Sequence, residues 1–260
     1  EHDSSWHGLS IASMLAAQTY NGLDGGGILA PLTGPVLLPV RVAGACGAEV
    51  SDIVEGMLWA AGIAYQGSPA LNPHPARVIN LSFGGDGSCA VTGQQDAAWL
   101  YRQTVAALKA KGTLVVASAG NGNDLGPQAQ PSRPANCPGV LAVTALHPQG
   151  FKSSYANLVD AAAYPSLATH GGDVLLDPME EPAGIVTVSN TGQRSPDPQG
   201  YVIQSMVGTS FAAPAAAGVA ALMWAVDPNL SVDEVVAGLT QTALPHITAQ
   251  EAASLGMPDL

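Results

Sequence analysis

Short runs of apolar residues alternate along the chain with longer segments in which apolar residues recur at helical spacing. The short runs predict buried strands, because a strand that is covered on both faces of a parallel sheet is apolar at successive positions. These runs lie at residues 36–42, 78–81, 114–117 and 140–145. Strands that alternate with helices are typical of parallel βαβ units, so the pattern predicts an α/β fold.

The longer segments predict helices whose ends carry recognisable capping residues. They lie at residues 51–62, 96–111, 211–226 and 231–242. Ser51 or Asp52 is placed to cap the first of these helices. Gly112 is placed to end the second, and Ser231 with Glu234 has the spacing of a capping box.

A different pattern precedes the third helix. Residues 185–189 and 201–206 are strand-like and flank a loop rich in Gly, Pro and Asp, which predicts a β-hairpin. No change of composition divides the sequence. Residues 1–260 are therefore predicted to form a single domain.

Composition and charge exclude several classes of function. With 47% hydrophobic and 11% charged residues, the chain is too apolar to be disordered. Its net charge of -12 repels nucleic acids and anionic membrane surfaces, so neither is expected as a partner. The longest run without polar residues, 211–226, is too short to span a bilayer and contains Pro214 and Gly218. That run predicts a buried helix.

Three cysteines, Cys46, Cys89 and Cys137, lack the spacing of a zinc site. The favoured interpretation is one disulfide and one leftover thiol.

Two candidate catalytic residues stand beside glycines. His7 precedes an apolar run with a helical pattern, and Gly8 allows a neighbour to approach the backbone closely. Asn121 lies between two glycines at the end of strand 114–117, an edge where α/β proteins bind ligands. The ordinary interpretations are a capping histidine and a turn asparagine. The functional alternatives are a general base and an amide that binds an oxyanion.

Ser210 opens the predicted helix 211–226 and could simply be its N-cap. Pro214 argues for more than capping, because it removes the N–H that would bond the Ser210 carbonyl four residues earlier. The free N–H groups at a helix start also favour an anion beside this serine.

In chain order, His7-Gly8, the Ala-Gly-Asn element at 119–121 and the Gly-Thr-Ser-x-x-x-Pro element at 208–214 resemble the motifs of the subtilisin-like (subtilase, peptidase S8) family. VINLSFGG and SSYAN resemble that family's substrate-binding strand and a later loop. The segment SSWHG, at residues 4–8, resembles the segment at the start of the histidine helix in secreted bacterial proteases. The resemblance implies a three-layer α/β sandwich with a central, mostly parallel sheet and helices on both faces.

The resemblance also implies a serine endopeptidase. Ser210 would be the nucleophile, His7 its base and Asn121 an oxyanion donor. The resemblance further implies a pocket that binds the side chain before the scissile bond and favours an apolar or aromatic residue there. Its two walls would be Ser82, Phe83 and Gly84 on one side and Ala117, Ser118 and Ala119 on the other. Residues 43–47, including Gly44, would pair with the substrate backbone.

Several further expectations follow from the resemblance. In the family, the catalytic aspartate precedes the histidine, whereas the only carboxylates before His7 in this sequence are Glu1 and Asp3. The aspartate is therefore expected further upstream. Both ends of the chain are expected to be truncated. The His7-Gly8 motif is followed by LSIAS at residues 9–13, where the family usually has THVAG. No cofactor is expected for catalysis, and the resemblance allows a structural calcium ion without assigning its ligands. The complete protein is expected to be a secreted, monomeric bacterial enzyme with an N-terminal propeptide that acts on peptides and proteins.

Cysteine pairing and two rival functions stay open at this point. Cys46 and Cys89 follow segments that would flank one substrate cleft, which favours their pairing, with Cys89–Cys137 as the next candidate. One rival function is a subtilase-fold pseudoenzyme that only binds peptides. The other is a binding protein on a flavodoxin-like or dinucleotide fold, but Gly25-Gly26-Gly27 lacks the G-x-G-x-x-G spacing of a dinucleotide site.

Overall fold

A computed structural model describes residues 4–22, 25–32, 37–44, 46–68, 70–90, 96–122, 130–173, 183–245, 251 and 254. A parallel sheet in the order β1-β2-β3-β4 consists of Val78–Leu81, Leu114–Ser118, Val140–Leu146 and Ser166–His170. β5 and β6, an antiparallel hairpin, are Ile185–Asn190 and Tyr201–Met206. Helices α1 to α5 are His7–Ala16, Val50–Ala60, Ala97–Ala110, Thr209–Val226 and Val232–Thr242.

The core has two parts, one on each face of the parallel sheet. Val115 and Ala117 of β2 face a cluster that includes side chains of α2 and α3. Leu114 and Val116 of the same strand face a second cluster with side chains of α4 and α5. Because both faces of β2 are buried, its sequence is continuously apolar. The predicted three-layer α/β arrangement is confirmed.

The signals predicted at Gly112 and at Ser231 with Glu234 agree with the structure, whereas the N-cap of α4 is Gly208 and Ser210 lies inside that helix. Asp96 caps α3 by accepting a hydrogen bond from the Trp99 N–H at 2.8 Å. The capping box before α5 is present. The predicted cap of α2 is wrong, since Ser51 lies inside the helix and the N-cap is Glu49, which makes no side-chain capping bond. Val50, which packs against the first core cluster, extends this helix at its start.

The strand predicted over residues 36–42 is also wrong for its described part, since residues 37–42 belong to no strand. Val40 and Val42 pack against the first core cluster instead. Gly56 of α2 makes room for them, because a Cβ at this position would lie 2.6 Å from a methyl group of Val42. Val36 is outside the described residues. Burial of alternate side chains against α2 therefore accounts for the apolar pattern.

Sequence patterns gave no signal for β4, Ser166–His170. Its residues are half-buried or exposed, and it pairs with β3 along one side in the register Ala142↔Ser166. An edge strand of mixed polarity lacks the apolar run that identifies the inner strands.

α4 is the helix within the described ranges that is long and apolar enough to cross a membrane by length and composition. In the structure 56% of it is buried, and five of its alanines pack in the second core cluster. It therefore serves as a core helix here.

The disulfide joins Cys89 to Cys137, with their Cα atoms 4.9 Å apart, and Cys46 is an exposed free thiol. The favoured pairing of Cys46 with Cys89 is therefore wrong, and the second candidate is the one observed. Asn136 shows why, since its side chain accepts from the Cys89 N–H and donates to the Gly87 carbonyl. These contacts bring the two disulfide-bonded segments together independently of the sulfurs.

Candidate active site

The carboxyl ends of β1 and β2 bring two of the predicted segments to one edge of the sheet. Leu81 is paired with Ala117, so the residues that follow both strands leave the sheet together. The first turn of α4 reaches the same edge, because Ser82 and Ser210 are hydrogen-bonded although 128 positions separate them. Ligand sites of parallel sheets form at such edges.

Ser210 is held by two reciprocal hydrogen bonds to Ser82. The Ser210 hydroxyl donates to the Ser82 carbonyl at 3.0 Å, and the Ser82 hydroxyl donates to the Ser210 carbonyl at 2.7 Å. Pro214 lies inside α4 and cannot donate to the Ser210 carbonyl. Ser82 thus satisfies the carbonyl that the proline leaves without its helical partner.

Asn121 is oriented by Thr209, a residue to which the sequence analysis gave no role. The Asn121 Oδ1 atom accepts from the Thr209 N–H at 3.0 Å and from its hydroxyl at 2.8 Å. The same hydroxyl accepts from the Gly120 N–H at 3.2 Å. Because Oδ1 faces Thr209, the Nδ2 group of Asn121 faces away from it.

Two N–H donors remain without a partner at this point of the structure. Within the described residues, neither Asn121 Nδ2 nor the Ser210 backbone N–H makes a hydrogen bond. Asn121 Nδ2 lies 3.4 Å from the place that a Cβ on Gly208 would occupy, which puts it beside the backbone that leads into Ser210. The pair can therefore donate to an oxyanion.

His7 is the first residue of α1, and its half-buried ring packs edge-on against Phe211, the neighbour of Ser210. The ring centroids are 5.7 Å apart. Burial lowers the pKa of His7, because it disfavours the charged imidazolium. In the described part of the chain, no group hydrogen-bonds the ring. Asp3, the nearest preceding carboxylate in the sequence, lies outside that part.

The segment before Ser210 rests on a buried tyrosine. The Gly208 N–H donates to the Gly171 carbonyl at 2.9 Å, and the Tyr155 hydroxyl donates to the same carbonyl at 2.8 Å. Burial is the main cause that raises the pKa of Tyr155 to about 12. This hydroxyl therefore stays a neutral donor at physiological pH.

The two predicted pocket walls, residues 82–84 and 117–119, face a third segment that the sequence analysis missed. The Ser132 N–H donates to the Ala119 carbonyl at 2.8 Å, and a Cβ on Gly84 would lie 2.7 Å from the Arg133 carbonyl. Ala117 and Ala119 are both 0% exposed. Any contact of these two residues with a ligand would therefore be through the backbone.

Gly44, which the resemblance implied would pair with the substrate backbone, is hydrogen-bonded to Gly47 in this structure. Its N–H donates to the Gly47 carbonyl at 2.8 Å, and the Gly47 N–H donates back at 3.2 Å, which closes a turn. Both strand-pairing groups of Gly44 are thus already used, and its contact with substrate stays a prediction.

No group of three or more His, Cys, Asp or Glu side chains lies together within the described residues. Asp173, for example, is buried and accepts from both the backbone N–H and the hydroxyl of Ser154. Within the described residues, no carboxylate cluster therefore assigns ligands to a structural calcium ion.

Fold and site together define an α/β protein with a serine at the start of a buried helix, at the carboxyl edge of a parallel sheet. The profile of the Subtilase family (Peptidase S8) matches residues 1–257, and the chain belongs to this family.

Named relatives agree with this assignment. The chain is 36% identical over 248 residues to the "Extracellular protease" of Xanthomonas campestris pv. campestris, covering 93% of this chain and 37% of that protein. It is 30% identical over 250 residues to the "Calcium-dependent protease" of Nostoc sp., covering 88% and 34%. Among solved structures, a protease from Pseudoalteromonas arctica aligns with a TM-score of 0.79 and 33% identity, covering 94% of this chain and 66% of that one. The chain spans about a third of the length of these curated relatives.

Proposed function

We propose that this chain carries the nucleophile, the base and two oxyanion donors of a serine endopeptidase. The observation that carries the proposal is the unpaired Ser210 N–H beside the unpaired amide of Asn121, at the start of α4. Donors that are aimed at an anion before it forms are the largest single contribution to acyl-transfer catalysis in many enzymes.

The reaction begins with a rotation of the Ser210 hydroxyl away from the Ser82 carbonyl. Its oxygen attacks the peptide carbonyl carbon while His7 takes the proton. The electron pair of the carbonyl moves to its oxygen, which Asn121 Nδ2 and the Ser210 N–H bind. Collapse of this intermediate expels the amine, which receives the proton from His7. Water then hydrolyses the acyl-serine by the same sequence of transfers.

An aspartate that orients His7 is part of this proposal, as the family resemblance implies. No carboxylate of the described residues bonds the His7 ring. We keep the prediction that this aspartate precedes His7 in the complete protein.

Substrate choice and location follow from the same proposal. The predicted pocket walls, residues 82–84 and 117–119, contain no charged side chain, so an apolar or aromatic residue is expected before the scissile bond. The name of the Xanthomonas relative supports secretion from a bacterium. A monomer made with a propeptide, and a structural calcium ion, remain predictions for the complete protein.

A second candidate is a peptide-binding subtilase without turnover. The observation that favours this candidate is that the Ser210 hydroxyl donates its hydrogen bond to the Ser82 carbonyl and not to His7. The two candidates differ in whether Ser210 reacts.

Ser210→Ala in the complete protein separates the two candidates. We expect it to abolish peptide hydrolysis and fluorophosphonate labelling in a protein that still folds, because no other group of the site can serve as nucleophile. Turnover that survives this substitution would refute the proposal. An unmodified protein that neither cleaves peptides nor reacts with fluorophosphonate would favour the second candidate.

Asn121→Leu tests the oxyanion hole separately. It should lower kcat by roughly 10²–10³ at nearly constant KM, the range established for loss of one oxyanion donor in subtilisin, a member of this family. Asn229→Leu is the matched control, since Asn229 is exposed and lies beyond the other end of α4. A change confined to KM would contradict the role of Asn121.

A further inference from the structure

Asn157 uses its whole side-chain amide to hold the loop that carries Asn121. Its Oδ1 atom accepts from the Gly122 N–H at 2.7 Å. Its Nδ2 group donates to the Ala119 carbonyl at 3.0 Å and to the Gln130 carbonyl at 2.9 Å. The side chain therefore binds the loop on both sides of Asn121.

The backbone of Asn157 adds two further anchors. Its N–H donates to the Gly120 carbonyl at 3.0 Å, and its carbonyl accepts from the Thr144 hydroxyl at 2.7 Å. Thr144 belongs to β3, so the loop is tied to the sheet through Asn157. With only 3% of its surface exposed, Asn157 is also shielded from competing water.

Close packing leaves the loop little freedom. Gly120 has a φ of +106°, and a Cβ there would lie 2.6 Å from Asn157 Nδ2. Asn121 itself is exposed, and its side chain is anchored through Oδ1 to Thr209 alone among the described residues. The direction of Asn121 Nδ2 therefore depends on the position of the backbone that Asn157 holds.

We infer that Asn157 is a positioning residue for the oxyanion hole, acting through the backbone of residues 119–122 on the amide of Asn121. The inference rests on the proposed function, because it concerns the donor that this function uses. A displacement of about 1 Å in a catalytic group is enough to cost about 10²-fold in rate.

A double-mutant cycle tests the inference. Asn157→Ala should lower kcat by about 10²-fold in the otherwise unchanged protein and leave KM within about twofold. In the Asn121→Leu background the same substitution should lower kcat by less than about threefold, because the donor that Asn157 positions is already gone. A purely structural role would give the full factor in both backgrounds.

Asn136→Ala is the matched control. Asn136 is 7% exposed and also joins separate segments through three side-chain hydrogen bonds, to Cys89, Gly87 and Pro131. One of these bonds ends at Pro131, next to Gln130, but none of them contacts residues 119–122. Its effect on kcat should therefore multiply with that of Asn121→Leu.

Asn157→Asp repeats the test with a side chain of the same size. It keeps the acceptor for the Gly122 N–H but replaces both donors, so it covers the case in which Asn157→Ala does not fold. The inference would be overturned if the losses of kcat caused by the Asn157 substitutions and by Asn121→Leu multiply, or if the Asn157 substitutions change only KM. It would also be overturned if neither Asn157 variant folds. Failure of the proposed function is recognised separately, by turnover that survives Ser210→Ala or by an unchanged kcat in Asn121→Leu.

Discussion

Ser82→Ala removes the hydroxyl that replaces the helical hydrogen bond lost at Pro214. In the structure this hydroxyl donates to the Ser210 carbonyl at 2.7 Å and accepts from Asn80 Nδ2 at 2.9 Å. The substitution leaves both groups without a partner in a place where Ser82 is 6% exposed. The Oδ1 atom of Asn80 is also buried and accepts no hydrogen bond from the described residues.

The size of the effect follows from these two contacts. A buried polar group that loses its partner costs about 1–3 kcal/mol. With two groups affected and some rehydration at this partly buried edge, we expect a loss of about 2 kcal/mol or more in the free energy of unfolding. For a chain of this length that corresponds to a fall in Tm of roughly 4–8 °C.

Thermal unfolding in a Ser210→Ala background provides the assay, because this background prevents self-digestion while keeping the Ser210 carbonyl. Ser88→Ala is the matched control, since its exposed hydroxyl only accepts from the Ala90 N–H. The control should change stability by no more than about 0.5 kcal/mol. Equal Tm values for the Ser82 and Ser88 variants would refute the reasoning about the Pro214 carbonyl.

Three further predictions concern other parts of the site. Burial lowers the pKa of His7 below its usual value of 6.5, so more than half of the rings should be neutral, and able to accept a proton, at pH 6.5. An NMR titration midpoint of His7 above 6.5 would contradict this. Gly120→Ala should reduce stability and kcat more than Gly112→Ala, because both glycines have positive φ but only at Gly120 would a Cβ clash with neighbouring atoms. Similar unfolding temperatures of the two variants would argue against this clash. Peptide mapping without reductant should find Cys89 linked to Cys137 and the third cysteine alkylated, and any other linkage would contradict the structure.

Several features of this protein were determined by residues that are close in the sequence. The continuous apolar run of β2 and the capping box before α5 were both predictable, because hydrophobic period and capping depend on neighbouring positions. The motif around Ser210 and Pro214 even indicated a carbonyl without its helical partner. The family and the α/β class followed from such local patterns in chain order.

Tertiary structure decided which distant groups became partners. No local pattern predicted Ser82 as the partner of the Ser210 carbonyl or Asn157 as the partner of the Asn121 loop, since 128 positions separate the first pair and 38 separate Asn157 from Ala119. Cys137 was likewise selected over Cys46 by the packing of the loops around Asn136. A hydrogen bond or disulfide between remote residues depends on how the layers stack, and that stacking is a property of the whole core rather than of any short segment.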